Sequence, residues 1–402
     1  MRRIQTLLLI IAITFGCAFA QTADELLEQG RTAYMDYNFS EAARLYALAK
    51  KKIPAGNAEL NDLYNVYNRQ LSTAKNYLSR VEKIVIIDSI TVPRNEFFKR
   101  YRIPVSAGVL GDGTSLPSRS PGVNYVFTNE GDDYKLWAAP DSVGRMQLME
   151  STLLTDGKWS QPVLLDDELS GNGDAIYPFM MSDGVTLYFA DNGDASIGGY
   201  DIMVATRDAT DGSFLQPSNL GFPYNSPYDD YMLAIDELNG VGWWATDRNQ
   251  LGDELTVYVF LVNDARQNLD PEETDVTAFA RIDDFIATQP EDGDYEDILA
   301  TIRQIKPGAQ KKKAEFTLPA PGGKIYYRYD ELPDAKSRAA AREYFGAVAQ
   351  LEKAENSLNA LRKKYHEYPT ETTAGKIRNE ESAIQATRAA VEKLRNELYK
   401  TL

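Results

Sequence analysis

Tyr177-Pro178-Phe179-Met180-Met181-Ser182-Asp183-Gly184, then Val185-Thr186-Leu187-Tyr188-Phe189-Ala190-Asp191 and Gly198-Gly199-Tyr200-Asp201-Ile202-Met203-Val204, is the stretch that decides the fold. It reads as a strand entering an Asp-Gly turn, its return strand and the strand after that. Asp-Gly supplies the positive φ a tight hairpin needs, and the flanking apolar residues suit packing between sheets. The unit returns 55 residues on: Trp159-Ser160-Gln161-Pro162 becomes Phe214-Leu215-Gln216-Pro217, Tyr188-Phe189-Ala190 becomes Trp243-Trp244-Ala245, and Val204 becomes Val259. Several separate features in one register mark an internal repeat.

Working outward, residues 111–300 hold little helical periodicity and much Gly, Asp, Asn and aromatic, a pattern for small repeated sheets. Strands begin upstream at Ile84-Val85-Ile86-Ile87, a β-branched run, with Thr91-Val92-Pro93 after a polar break. The unit resembles the TolB-type, WD-like β-propeller repeat: a proline-led strand, Ser-Pro-Asp-Gly, an aromatic strand, then Gly-Gly-x-Asp-Ile. Pro178, Asp183, Gly184, Tyr188, Asp191, Gly199 and Asp201 carry that resemblance, with Met181 and Ser182 in the family's Ser and Pro places. In the second unit Asp247-Arg248 is similar to the family's Ser-Asp-Arg, while Glu237-Leu238-Asn239-Gly240 replaces the turn. A weaker unit runs through Asn124-Tyr125-Val126-Phe127-Thr128-Asn129 and Tyr134-Lys135-Leu136-Trp137-Ala138. The resemblance is specific over residues 159–262. It implies a propeller, and residues 84–330 give room for about five blades.

Helical patterns flank this region. In residues 23–54, Leu26, Gly30, Ala42, Tyr46, Ala49 and Pro54 resemble a tetratricopeptide repeat, with Gln29 where a large residue is usual. Leu60, Tyr64, Tyr67, Leu71, Ala74 and Leu78 form one stripe of a further helix in residues 57–83. One full repeat is visible and solenoids need three or more, so a helical layer packed on its neighbour reads ahead of a peptide groove. After a strand near Ile325, Pro333-Asp334 opens a helix reaching about His366, striped by Tyr344, Val348, Leu351, Ala354, Leu358, Leu361 and Tyr365. Pro369-Thr370 breaks it, and Ile377, Ile384, Val391 and Leu398 recur every seven residues. That is an antiparallel hairpin with a coiled-coil seam, offering a route to self-association. The expected fold is multidomain α+β: tetratricopeptide-like helices in residues 21–83, an all-β propeller in 84–330 and a helical hairpin in 331–402.

Residues 1–20 read as a signal peptide: Arg2-Arg3, an apolar run from Leu7 to Phe15, and Ala18-Phe19-Ala20 for cleavage. Cys17 offers a rival lipoprotein reading, against which stands the missing aliphatic residue upstream. No later segment reaches the ~18 apolar residues of a transmembrane helix. The expected address is exported, periplasmic or outer-membrane-associated.

Composition narrows the chemistry. The 402 residues hold one Cys and one His, which excludes zinc clusters and Cys–His nucleophiles in the mature chain and leaves His366 alone to serve a Ser–His triad. A net charge of −16 argues against nucleic acid as a partner. Residues 111–300 alone carry −28, leaving the rest of the chain basic. An acidic surface of that size suits a basic protein partner. His366 sits in a basic helix end, where it complements the helix dipole. Asp191-Asn192-Gly193-Asp194 and Glu291-Asp292-Gly293-Asp294-Tyr295-Glu296-Asp297 supply oxygens that suit calcium, though neither has EF-hand spacing, and solvated turns are the plainer reading. No other cofactor is indicated. Tyr224, Tyr228, Tyr231, Trp243 and Trp244 crowd one unit, either as packing between blades or as anchors for a sugar or protein.

Gram-negative envelope proteins that join a tetratricopeptide region to such a propeller are similar, and some serve secretion or surface assembly. That similarity implies a non-enzymatic envelope scaffold that binds proteins. A glycan-binding module and a carboxylate-based hydrolase are the alternatives, the latter because Asp and Glu abound and sequence spacing says nothing of spatial spacing.

Overall fold

A computed structural model describes residues 21–117, 122–166, 169, 171–250, 252–307, 316, 318–320, 325–326 and 328–402. Residues 1–20, expected to be a signal peptide and containing Cys17, lie outside them. Two compact units divide the chain, Met1–Lys311 and Lys312–Leu402. No helix among the described residues is long and apolar enough to cross a membrane.

The first unit opens with α1 (Ala23–Met35), α2 (Phe39–Lys52) and α3 (Ala58–Leu78). Their starts were written locally. Thr22 and Glu25 form a reciprocal capping box, while Asn38 and Asn57 cap the next two helices. Gly30 lets α1 and α2 meet, since a Cβ there would sit 2.4 Å from the Tyr46 ring. Leu26, Tyr34, Ala42, Tyr46, Ala49, Leu71 and Ala74 are buried between the three helices and what lies below them.

Strands follow: β1 (Val85–Pro93), β2 (Val109–Gly111), β3 (Val126–Thr128), β4 (Tyr134–Pro140), β5 (Met146–Thr152), β6 (Val163–Leu164), β7 (Ala175–Met180), β8 (Thr186–Asp191), β9 (Asp201–Thr206), β10 (Ser218–Asn219), β11 (Asp230–Asp236), β12 (Val241–Thr246) and β13 (Glu254–Leu261). They form three antiparallel sheets, ordered β2-β3-β4-β5-β6, β10-β9-β8-β7 and β1-β13-β12-β11. The third is completed by the strand that precedes all the others. The middle sheet packs β7 on β3, β4 and β5, and β11 on β7, β8 and β9. Among the described residues no sheet closes into a barrel.

The 55-residue repeat survives as register. Ile176 pairs Ala190 and Phe179 pairs Tyr188, with a bulge between; Tyr231 pairs Ala245 and Ala234 pairs Trp243, with a bulge at the same offset. Both hairpin turns end on a glycine of positive φ, Gly184 at 67° and Gly240 at 66°. Asp183 accepts the N–H groups of Val185 and Thr186, and Asp236 accepts those of Leu238 and Asn239. The turns share this Asp contact but not its place, since Asp183 directly precedes its glycine and Asp236 lies four residues before Gly240. Sheets are stitched by one device used twice: Asp174 accepts the N–H of Met146 at 2.8 Å, and Asp229, 55 residues later, accepts that of Tyr200 at 2.9 Å.

Three multi-stranded sheets stand where room for about five blades was expected. Two segments take the remaining space. Residues 94–107 run as short 3₁₀ turns and wedge Phe97, Phe98, Tyr101 and Ile103 into the core shared by Phe127, Phe179, Phe189 and Trp243. Beyond β13 the chain turns helical, as α4 (Val276–Arg281) and α5 (Glu296–Gln304). Asp275 caps α4, Glu296 and Asp297 favour the start of α5, and Ile298, Leu299 and Ile302 face that same core. The acidic run just before α5 is therefore a helix entry.

The second unit contains β14 (Leu318–Pro319), β15 (Ile325–Tyr326), α6 (Ala335–Glu367) and α7 (Glu371–Tyr399). Asp334 and Thr370 cap the helices. A small core at one end gathers Phe316, Leu318, Tyr326, Leu332, Ala341 and Leu398, with Phe316 stacked on Phe345 at 4.3 Å. Along the hairpin Leu358, Ile384 and Leu398 are buried, the other seam residues are half-buried, and Tyr365 is exposed. His366 is exposed.

Candidate functional site

The motif residues divide between a buried node and an open cleft. At the node, Arg248 is 1% exposed and uses all five of its N–H groups. Nε donates to Thr246 Oγ1 at 3.0 Å, Nη1 to the carbonyls of Pro223 and Ala280, and Nη2 to the carbonyl of Tyr224 at 2.8 Å and to Asp230 at 2.7 Å. Burial pushes the Asp230 carboxyl up, although Arg248 and the Ser226 hydroxyl pull the other way. Asp201, fully buried, accepts the N–H groups of Ile197 and Gly198 at 2.8 and 3.0 Å and an Asn219 amide. Burial, then the nearby Asp230, hold it well above the usual carboxylate range.

These residues seat the helical layer. Tyr34 of α1 donates to the Ile197 carbonyl at 2.6 Å and Gln70 of α3 to that of Gly198 at 2.7 Å. Below that contact the 226–228 backbone crosses so close that a Cβ at Gly198 would fall 1.9 Å from the Tyr228 carbonyl oxygen; one at Gly199 would meet Asp229 as closely. Phe222, followed by a cis peptide bond to Pro223, packs on Tyr37 and Phe39. The Gly-Gly-x-Asp-Ile and Asp-Arg motifs therefore join helices to sheets.

The aromatic quintet is placed plainly. Trp243 and Trp244 are 1% and 0% exposed, Tyr224 and Tyr231 are buried, and Tyr228 is half-buried beside Tyr37 and Arg248. Neither tryptophan presents a face to solvent. Tyr188 packs against the core with burial pushing its phenol up to about 12. Pro178 is buried, and its carbonyl accepts the Tyr125 hydroxyl.

Asp191 lies at 6% exposure with Oδ1 accepting the Gly193 N–H, and its Oδ2 has no hydrogen-bond partner among the described residues. Burial, then the charges of Asp174 and Asp194, push its carboxyl up to about 6. No group of three or more His, Cys, Asp or Glu among the described residues is arranged to hold a metal ion.

The cleft, of about 960 Å³, opens where the 94–100 turn meets the first sheet and β7. At its base Arg94 gathers three carboxylates, Asp247 at 3.0 Å, Asp253 at 3.4 Å and Asp229 at 4.0 Å. The guanidinium also donates to the Tyr231 hydroxyl and lies 5.2 Å from that ring's centre. Burial, then Asp229, push the Asp247 carboxyl up against the pull of Arg94 and a backbone N–H. Tyr177 forms one wall with a left-handed φ of 52°, held by edge contacts to Phe97, Tyr125 and Tyr231. Around the mouth stand Asn95, Lys99, Asp112, Asn124 and Asp253, all exposed. Of this group, sequence reading names Asp247 as a motif residue, Tyr231 as a candidate contact and Tyr177 and Asn124 as the first residues of repeat strands, and it misses the rest. The one signal available was the departure from the repeat, Tyr177 standing where the next unit has Met232.

No family model, curated protein or solved structure matches the chain.

Proposed function

We propose that the chain is an exported, non-catalytic scaffold of the bacterial envelope, with sheets of the TolB-like blade type and a tetratricopeptide-like layer joined into one platform. The observation that carries this reading is the node. Arg248, Asp230 and Asp201 are consumed in fixing backbone carbonyls and N–H groups and in seating Tyr34 and Gln70. A buried, saturated polar network of this kind specifies a rigid arrangement. Around it the charge of −28 over residues 111–300 draws a basic protein partner by long-range attraction. The reading stands ahead of a hydrolase because the carboxylates at the base of the cleft share Arg94 as their counter-charge.

Two measurements test it. Mass spectrometry of the exported protein should find a mature N-terminus at Gln21, and a retained leader would refute export by this signal. Photo-crosslinkers at exposed acidic sites such as Asp132, Asp211 and Asp264 should trap one discrete protein at native expression. That adduct should fade between about 50 mM and about 500 mM salt. Recovery of the free chain alone would overturn the scaffold reading.

A further inference from the structure

The geometry points to a second binding activity, in the cleft beside Tyr177: we propose that it takes an uncharged oligosaccharide. Its volume of about 960 Å³ is at the upper end of what small-molecule sites occupy, and its exposed rim leaves it open to a chain running across it.

Charge is the first argument. The lining carries Arg94 and Lys99 against Asp112 and Asp253, and Asp229 and Asp247 stand behind Arg94 at the base, so carboxylates outnumber cations by two. Anions are repelled by that surplus, and the carboxylates at the base already have Arg94 as their counter-charge, which leaves an incoming cation little to gain there. A neutral ligand is what remains. The second argument is hydrogen-bond chemistry. Asn95 and Asn124 each offer two donors and an acceptor, the carboxylates accept and the cations donate. Sugar hydroxyls donate and accept at once, so adjacent hydroxyls match this mixture of planar groups.

The third argument compares the protein with itself. Tyr177 and Met232 occupy the same bulge 55 residues apart. Met232 is 0% exposed and lacks the positive φ; Tyr177 is left-handed, half-buried and on the cleft wall. Left-handed backbone is uncommon and unfavourable at a non-glycine residue. The strain places an aromatic surface in the cleft, and the Tyr177 hydroxyl makes no hydrogen bond to the described residues. Peptide recognition fits less well. It needs side-chain pockets or an open strand edge, and the apolar lining residues Phe98, Leu116 and Val123 are all buried.

The test uses the purified mature chain and calorimetric titration with malto-, cello-, laminari-, xylo-, manno- and chitotetraose. At least one should bind at or below about 1 mM, with affinity unchanged between about 50 and 500 mM salt. N95A/N124A, two exposed positions, should keep the melting temperature and weaken that binding at least tenfold. Y177F should weaken it several-fold through the lost hydroxyl. No binding of any tetrasaccharide at about 5 mM overturns the proposal. So does binding that N95A/N124A leaves intact, or a cleft that takes neutral peptides in preference to every sugar.

Discussion

Replacing Arg248 by methionine tests the buried node directly. Methionine fills most of the volume and returns none of the five donors. Three backbone carbonyls, the Thr246 hydroxyl and the Asp230 carboxylate then lose a partner, and Asp230 keeps the Ser226 hydroxyl at 2.6 Å. Breaking one side of a buried ion pair costs about 3–5 kcal/mol, and orphaned acceptors place this site in that range. The loss has a pH signature. Without Arg248 the largest pull against burial at Asp230 is gone and only hydroxyl hydrogen bonds oppose it, so its folded pKa rises further above the unfolded value of about 3.9. A raised folded pKa means stability that is present at low pH and lost as pH rises through it. The deficit of R248M should therefore be full at pH 7 and shrink on acidification. Urea unfolding followed by tryptophan fluorescence is the assay, because Trp137, Trp159, Trp243 and Trp244 all lie in the first unit and the C-terminal hairpin is silent. R248M/D230N should recover part of the loss, since the stranded charge is gone. A deficit below about 1 kcal/mol at pH 7, or one that grows on acidification, would refute the reasoning.

Three further outcomes follow from particular residues. D191N should stabilise the protein near pH 7.5 and flatten its stability between about pH 4 and 6.5. The native carboxyl titrates at about 6, about two units above an unfolded aspartate, so up to about 3 kcal/mol is lost as pH rises through that window. G198A drives a methyl group against the Tyr228 carbonyl and should cost at least about 1–3 kcal/mol, with hydrogen exchange rising in α1–α3, the helices whose Tyr34 and Gln70 bond there. I384A should cost about 2–3 kcal/mol in the hairpin, seen as helical circular dichroism melting earlier while tryptophan fluorescence is unchanged.

Much of the fold was legible in the chain itself. Thr22-x-x-Glu25, Asn38, Asn57, Asp334 and Thr370 mark helix starts within a few residues, because caps are local chemistry. The heptads of α6 and α7 and the 55-residue register followed from periodicity, which burial on one face imposes on any sequence. What eluded it was non-local. Phe97, Phe98 and Tyr101 look like any aromatic turn until three sheets close over them. The amphipathic turn of Ile298, Leu299 and Ile302 is short enough to pass for a strand fragment.

The candidate site divides along the same line. Sequence alone established the repeat, its Asp-Gly turn, the acidic middle and the residues of the Gly-Gly-x-Asp and Asp-Arg motifs. Only the tertiary structure decided their use: Asp201, Asp230 and Arg248 became a saturated joint under α1 and α3, and Trp243 and Trp244 became core. It also brought Arg94, Asn95, Asn124, Tyr177 and Asp253 to one cleft from four distant stretches of chain. A residue's neighbours in sequence set its backbone, but its solvent exposure and hydrogen-bond partners depend on segments a hundred residues away. Those quantities separate a binding group from a structural one.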